Sequence, residues 1–219
     1  MAIILKNSKI DITIDSKTII GVMGQDYDRF IKSLNGDDIF ILDNRISNSN
    51  KRVSSLLEVN DKVLDTIKEL ELNENILNKK VSDLSHSEQK LLKYLLLIIN
   101  NKKLNIIDEP FMDLDFFYKK KITVLLNELV KKNKTIIVGS SNSNIIYSLC
   151  KKILLIREKD YFYGNIDSLE NKRVLKKYNI VMPDLVNFVN LAKEKKVKLR
   201  YSYDIRDLIK DVYRNVSKK

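Results

Sequence analysis

Two adjacent carboxylates, Asp108 and Glu109, stand at the end of an apolar run, Leu104–Ile107, and Pro110 follows them. A strand that delivers two acids to its carboxyl end can hold a hard cation such as Mg²⁺ through one of them. The other can orient a water for attack on a phosphoryl group. The same residues also read as an ordinary strand stopping in a solvated acidic turn, because proline cannot continue a ladder. Upstream, Leu84-Ser85-His86-Ser87-Glu88 brings two hydroxyls and the chain's single imidazole to the head of a strongly apolar run, Leu91–Ile99. Downstream, Asp113-Leu114-Asp115 adds two more acids before Phe116–Lys132.

A second candidate lies near the N-terminus, in Thr18-Ile19-Ile20-Gly21-Val22-Met23-Gly24-Gln25-Asp26-Tyr27-Asp28-Arg29-Phe30. A phosphate-cradling loop needs G-x-x-x-x-G-K-[ST], since its backbone N–H groups surround phosphate while the lysine reaches the outer oxygens. Gly21 and Gly24 fit the opening of such a loop, but Gln-Asp-Tyr-Asp-Arg follows where glycine, lysine and a hydroxyl are required. Measured against Leu34-Asn35-Gly36, which resembles the segment that follows the phosphate-loop helix in the ATPases named below, about three residues are missing. Asp26 and Asp28 place negative charge where phosphates would lie. Arg29 is the candidate substitute cation, and Lys32 reads as a solvated surface lysine.

The order of these segments resembles the ATP-binding cassette (ABC) ATPases. Leu84, Ser85, His86, Ser87 and Glu88 match the family's LSGGQ signature, Ile106–Pro110 its Walker B strand with catalytic glutamate, and Asp113, Leu114 and Asp115 its D-loop. Thr135–Asn142 matches the strand leading to the switch histidine, a position filled here by Ser141. The resemblance implies ATP and Mg²⁺ as cofactors, Asp108 as the metal residue, Glu109 and Ser141 at the catalytic positions, and Gly21, Gly24 and Arg29 at the nucleotide. It also implies a departure. The phosphate-loop lysine and switch histidine are absent, the signature glycines are replaced by His86 and Ser87, and no glutamine occurs in Arg45–Asp83, where the family carries its Gln loop. His86 itself reads as an exposed residue at a helix start.

The elements needed to position these groups are legible as patterns. Ala2–Lys6 and Lys9–Ile14 read as paired strands, Lys17–Met23 and Ile39–Asp43 as further strands, and Ser47–Asn50 as a loop. Val53–Leu72 holds two helix-like pieces. Ser87–Asn100 reads as a buried helix, and Phe116–Lys132 as an amphipathic one carrying Tyr118, Ile122, Leu125, Leu126, Leu129 and Val130 inward. Thr135–Gly139 and Ile153–Arg157 are apolar strands, and Lys159-Asp160 turns into Tyr161–Gly164. Alternation of strand and helix predicts an α/β fold with a largely parallel sheet. With the resemblance, that is a P-loop NTPase-like cassette with a shortened helical subdomain and a small C-terminal helical extension. The expected division is 1–169 for the cassette, with 45–100 as its reduced helical region, and 170–219 for the extension. In that extension Pro183 opens a helix, Asp184–Lys195, with Leu185, Phe188, Val189 and Ala192 on one face, and Asp204 caps a second, Ile205–Tyr213. The pair is similar to the C-terminal extension of energy-coupling factor (ECF) importer ATPases.

Composition is that of a chain able to bury a full core, with 44% apolar residues in 219. Its net charge of +11 is spread over lysines at turns and helix ends and lacks an aromatic-interleaved motif, which argues against nucleic acid. The single cysteine, Cys150, excludes an internal disulfide and suits packing beside Ile153–Ile156. Met1–Asp15 lacks the apolar core of a leader, and Leu91–Ile99 is too short to span a bilayer. The expectation is a cytoplasmic subunit peripheral to the inner face of the cell membrane. Its partners are a second ABC ATPase subunit and a transmembrane transporter component, and its own ATP site is weak or inactive. The alternative is a cassette-fold scaffold that binds a protein partner without nucleotide.

Overall fold

The computed structural model describes residues 2–6, 10–42, 50–158 and 160–216. Lys9, Asp43, Ser47–Ser49 and Lys159, which figure in the expectations above, lie outside them. The chain forms two compact units, one of Met1–Leu34 with Val138–Lys219 and one of Asn35–Ile137.

The first unit opens with an antiparallel pair, β1 (Ala2–Lys6) and β2 (Asp11–Asp15), in which Ile3 faces Ile14 and Leu5 faces Ile12. Alternation along β2 turns Ile12 and Ile14 inward. The next strand, β3 (Ile19–Gly24), is buried over nearly its whole length, as its unbroken apolar run predicts. A seven-residue helix, α1 (Tyr27–Ser33), follows and buries Phe30 and Ile31.

In the second unit β4 (Ile39–Leu42) pairs in parallel with a strand at Leu104–Asp108, with Ile41 opposite Ile106. Between them lie short 3-10 turns and two helices, α2 (Asp61–Glu69) and α3 (His86–Asn100). Asn60 caps α2 by accepting from the Val63 N–H at 3.1 Å. Val53, Ile67 and Ile76 are fully buried in this region, and Leu91, Leu92, Tyr94, Leu95 and Leu97 are buried along α3. The strand at Leu104–Asp108 is β5. It leads to α4 (Phe116–Lys131), which turns Ile122, Leu126 and Leu129 inward and leaves Tyr118, Leu125 and Val130 half-buried. β6 (Thr135–Gly139) starts in this unit, where the Thr135 N–H donates to the Lys103 carbonyl at 2.9 Å.

Back in the first unit, the Ser140 N–H donates to the Val22 carbonyl at 3.3 Å. After α5 (Ser143–Leu149), β7 (Lys152–Arg157) pairs in parallel with β3, placing Val22 opposite Leu154. β8 (Asp160–Asn165) returns antiparallel to β7. Three helices follow: α6 (Lys172–Tyr178), α7 (Asp184–Glu194) and α8 (Ile205–Val216). Val189, Leu199 and Leu208 form a small core with Leu185, Ala192, Val197 and Val212 packed against it. Pro183 is the N-cap of α7, directly before the helix it was expected to open. Two details differ from the expectation. Val186 takes the inward place assigned to Phe188, which is 48% exposed, because helix rotation sets the buried stripe at Val186, Val189 and the residues flanking them. α8 also runs on to Val216. Asp204 does cap it, its carboxylate accepting from the Arg206 N–H at 2.8 Å.

Two glycines of β3 have packing reasons. A Cβ on Gly21 would lie 2.4 Å from Ile146 Cγ2 and 3.2 Å from Sγ of the buried Cys150. Gly24 has φ +115°, and a Cβ there would meet the Ile156 carbonyl oxygen at 2.0 Å. Gly24→Ala therefore combines left-handed strain with a backbone clash, and should cost roughly 2–5 kcal/mol. Urea unfolding should show the midpoint falling accordingly, and an unchanged midpoint would refute the close approach of β3 to β7.

Candidate functional site

The candidate residues fall into two groups, one in each unit. In the first unit, β3 and α1 are joined by Gln25 and Asp26 alone. The Gln25 N–H donates to the Ile156 carbonyl at 3.1 Å, extending the pairing with β7, and the Asp26 carbonyl already accepts from the Phe30 N–H at 3.0 Å. Asp26 pairs with Arg29 at 3.6 Å, and Asp28 with Lys32 at 3.5 Å. The acids read as repelling phosphate are thus matched by cations of the same helix. Arg29 lies on the surface, its side chain 78% exposed. Beside this helix the Gly139 backbone is closely covered, for a Cβ there would lie 2.1 Å from Ile31 Cδ1 and 3.0 Å from Tyr27 Cε2. Ser141 is exposed, between Ser140 and Asn142, the N-cap of α5.

In the second unit the signature-like residues are the head of α3. Ser85 is its N-cap, accepting from the Glu88 N–H at 3.2 Å, while Glu88 reaches back to accept from the Ser85 N–H at 2.8 Å. This reciprocal capping box satisfies two helix-end donors. Lys79 donates to Glu88 at 2.9 Å, and the Ser85 and Ser87 hydroxyls lie 3.2 Å apart. Hydrogen bonds from Lys79 and from the Ser85 N–H hold the Glu88 carboxyl below the usual glutamate range. His86 begins the helix and is exposed, as read from the sequence, and Leu84 is buried.

Asp108 ends β5 and Glu109 follows it with φ 44°, a left-handed conformation rare for a residue with a side chain. Asp113, with φ 64°, is a second such residue before α4. Leu114 is buried, and Asp115 is the N-cap of α4, accepting from the Tyr118 N–H at 2.9 Å. Among the described residues no group of three or more His, Cys, Asp or Glu side chains gathers as a metal cage. Asp108 and Glu109 are of the oxygen-donor type that Mg²⁺ takes.

Two residues of this region escaped the sequence reading. Lys90 is 3% exposed, and its Nζ donates to the carbonyls of Asp108 at 3.2 Å and Glu109 at 2.8 Å. Burial pulls the Lys90 ammonium down to about 8, against the opposing fields of Asp108, Asp113 and Glu109. Tyr94 donates to the Pro110 carbonyl at 2.8 Å. The available signal was a lysine and a tyrosine four residues apart in a helix rich in leucine and isoleucine, where a buried charge needs partners.

This is the ATP-binding cassette type of P-loop NTPase fold. The ADP conformation of an ATP-binding cassette from an ABC transporter matches with a TM-score of 0.62 at 14% identity, covering 78% of this chain and 91% of that one. The cbiO1 protein of Clostridium perfringens, part of the ABC transporter complex cbiONQ, matches with a TM-score of 0.57 at 19% identity, covering 83% and 90%. In sequence, an uncharacterized ABC transporter ATP-binding protein of Methanocaldococcus jannaschii is 27% identical over 143 residues, 60% of this chain and 54% of that protein. The zinc import ATP-binding protein ZnuC of Ehrlichia chaffeensis is 26% identical over 120 residues, covering 54% and 49%. In sequence the chain is thus similar to ABC-transporter ATP-binding proteins, and it shares the fold of the solved cassettes. No family model matches it, and it spans about half the length of the curated relatives it matches.

The capping box gives a pH-dependent prediction. A carboxyl depressed by folding contributes stability that is full above its unfolded value and is lost as pH falls through the folded one. Glu88→Gln should thus destabilise the chain at neutral pH, and the difference from wild type should shrink as pH drops below the ordinary glutamate value of 4.5. Ser85→Ala should cost about 1 kcal/mol. Urea unfolding across pH checks both, and a Glu88→Gln difference that grew on acidification would contradict the assignment.

Proposed function

We propose that this chain is a degenerate cassette subunit of an ECF-like ABC importer, with its own ATP site weak or inactive. It pairs with a second cassette subunit and a transmembrane component. The observation that carries this reading is the passage from Gly24 to Tyr27 through Gln25 and Asp26 alone. A phosphate cradle needs several successive N–H groups turned toward the ligand and a lysine behind them. Here Gln25 continues the pairing with β7, Asp26 faces Arg29, and the first turn of α1 carries Asp28. These residues do not fit a nucleotide phosphate, so no hydrolytic step is assigned to them. The importer context draws on the likeness to cbiO1, part of the complex cbiONQ, and on the C-terminal helices α7 and α8. Among the described residues no helix is long and apolar enough to cross a membrane, which accords with a peripheral subunit.

In this reading the chain's contribution to a cassette pair is the head of α3, whose Ser85 and Ser87 hydroxyls would face a competent partner's nucleotide. One observation favours the scaffold alternative: Ser85 Oγ is already engaged in capping its own helix. The deciding experiment is equilibrium binding of a fluorescent ATP analogue with Mg²⁺ to the full chain and to Glu109→Gln. The expected result is no saturable binding below about 1 mM for either protein. Micromolar binding by the wild-type chain would overturn the degenerate-site reading, and ATPase assays would then be required.

A further inference from the structure

The helix that begins at Ser85 also holds the carboxylate turn. Lys90 and Tyr94 are four residues apart and so share one face of α3. Both are buried, 3% and 0% exposed. Between them they donate to three consecutive backbone carbonyls, those of Asp108, Glu109 and Pro110, at 3.2, 2.8 and 2.8 Å. The turn's own backbone bonds are long, from the Met112 N–H to the Glu109 carbonyl and from the Leu114 N–H to the Phe111 carbonyl, both at 3.3 Å. Glu109 sits in the left-handed region at φ 44°, where a side chain costs about 1–2 kcal/mol. Pro110 has no N–H with which to continue the ladder of β5. Conformations of this kind persist where surrounding groups over-determine them.

Packing alone does not explain the residue at position 90. A methionine or leucine would fill the same space without the loss of hydration that a buried ammonium suffers. That loss is met by the two carbonyls and by the carboxylates of Asp108, Glu109 and Asp113, whose fields reach the amine. We infer that Lys90 and Tyr94 are positioning residues for the carboxylate turn: they fix the direction in which Glu109 leaves β5 and tie the turn to the signature helix. The inference rests on the cassette reading only for the task given to Glu109.

Amide hydrogen exchange on the full chain tests this without nucleotide, so its failure is separate from failure of the ATP-binding reading. In Lys90→Met, exchange across residues 109–115 should quicken about tenfold or more, with residues 95–100 of α3 changed little. Tyr94→Phe, which removes one hydroxyl and keeps the ring, should quicken the same segment by about threefold. Lys90→Arg, which keeps a cationic donor, should restore most of the protection. No change in residues 109–115, or an equal rise throughout Asn35–Ile137, would overturn the proposal, since the first denies the contact and the second reduces it to general packing. If Lys90→Met does not fold, Tyr94→Phe and Lys90→Arg decide between the same outcomes.

Discussion

The close approach of β3 to β7 governs the first unit and the candidate site within it. At Gly24 the backbone comes so near the Ile156 carbonyl that no side chain fits, and at Gly21 the space of a side chain is occupied by Ile146, Ile153 and Cys150. Two strands pressed together in this way keep pairing to the last residue available. Gln25 does so through its N–H to Ile156, which leaves Asp26 alone before the helix begins. A glycine-rich loop is a stretch that leaves the sheet early and curls back over a ligand. Here the chain leaves late and goes directly into α1. The same glycines that open a phosphate loop in the family are thus explained here by strand packing.

The second unit is organised by α3, which is fixed at its head and along its flank. At the head, Ser85 and Glu88 exchange hydrogen bonds, and Lys79 adds a charge-assisted contact. Along the flank, Lys90 and Tyr94 grip the end of β5. The loop beyond is closed by Leu114, buried, and by Asp115, which starts α4. The bonds at the head are exposed and the Tyr94 bond is buried, so the flank is the grip that costs more to break.

The strands and helices were legible because their apolar periods are strong. β3, β5 and β6 are rich in apolar residues, with Asn105 the polar exception inside β5, and α3 and α4 carry wide apolar faces. The head of α3 was legible as a motif, but its capping chemistry was not read from Ser85 and Glu88, although their spacing carries it. Phe188 was placed inward from hydropathy, whereas the rotation of α7 buries Val186; hydropathy names candidates for burial, and contacts elsewhere in the fold choose among them. Asp26 and Asp28 were read as bare charges, but their partners Arg29 and Lys32 stand three and four residues away, at ordinary helical spacing. Lys90 was hidden because a buried lysine is identified by what its amine touches, eighteen and nineteen residues along the chain.

Asp108 and Glu109 have structural roles besides the chemical ones that the resemblance implies. Walker-type residues survive in a sequence either because chemistry uses them or because the fold does. Asp108, Glu109 and Pro110 offer the carbonyls that anchor α3, and Asp113 and Asp115 shape and cap the entry to α4. The side chains of Asp108, Asp113 and Glu109 also supply the field that makes a buried ammionium at Lys90 tolerable. Replacing them would strand that charge, at the cost of an uncompensated buried ion.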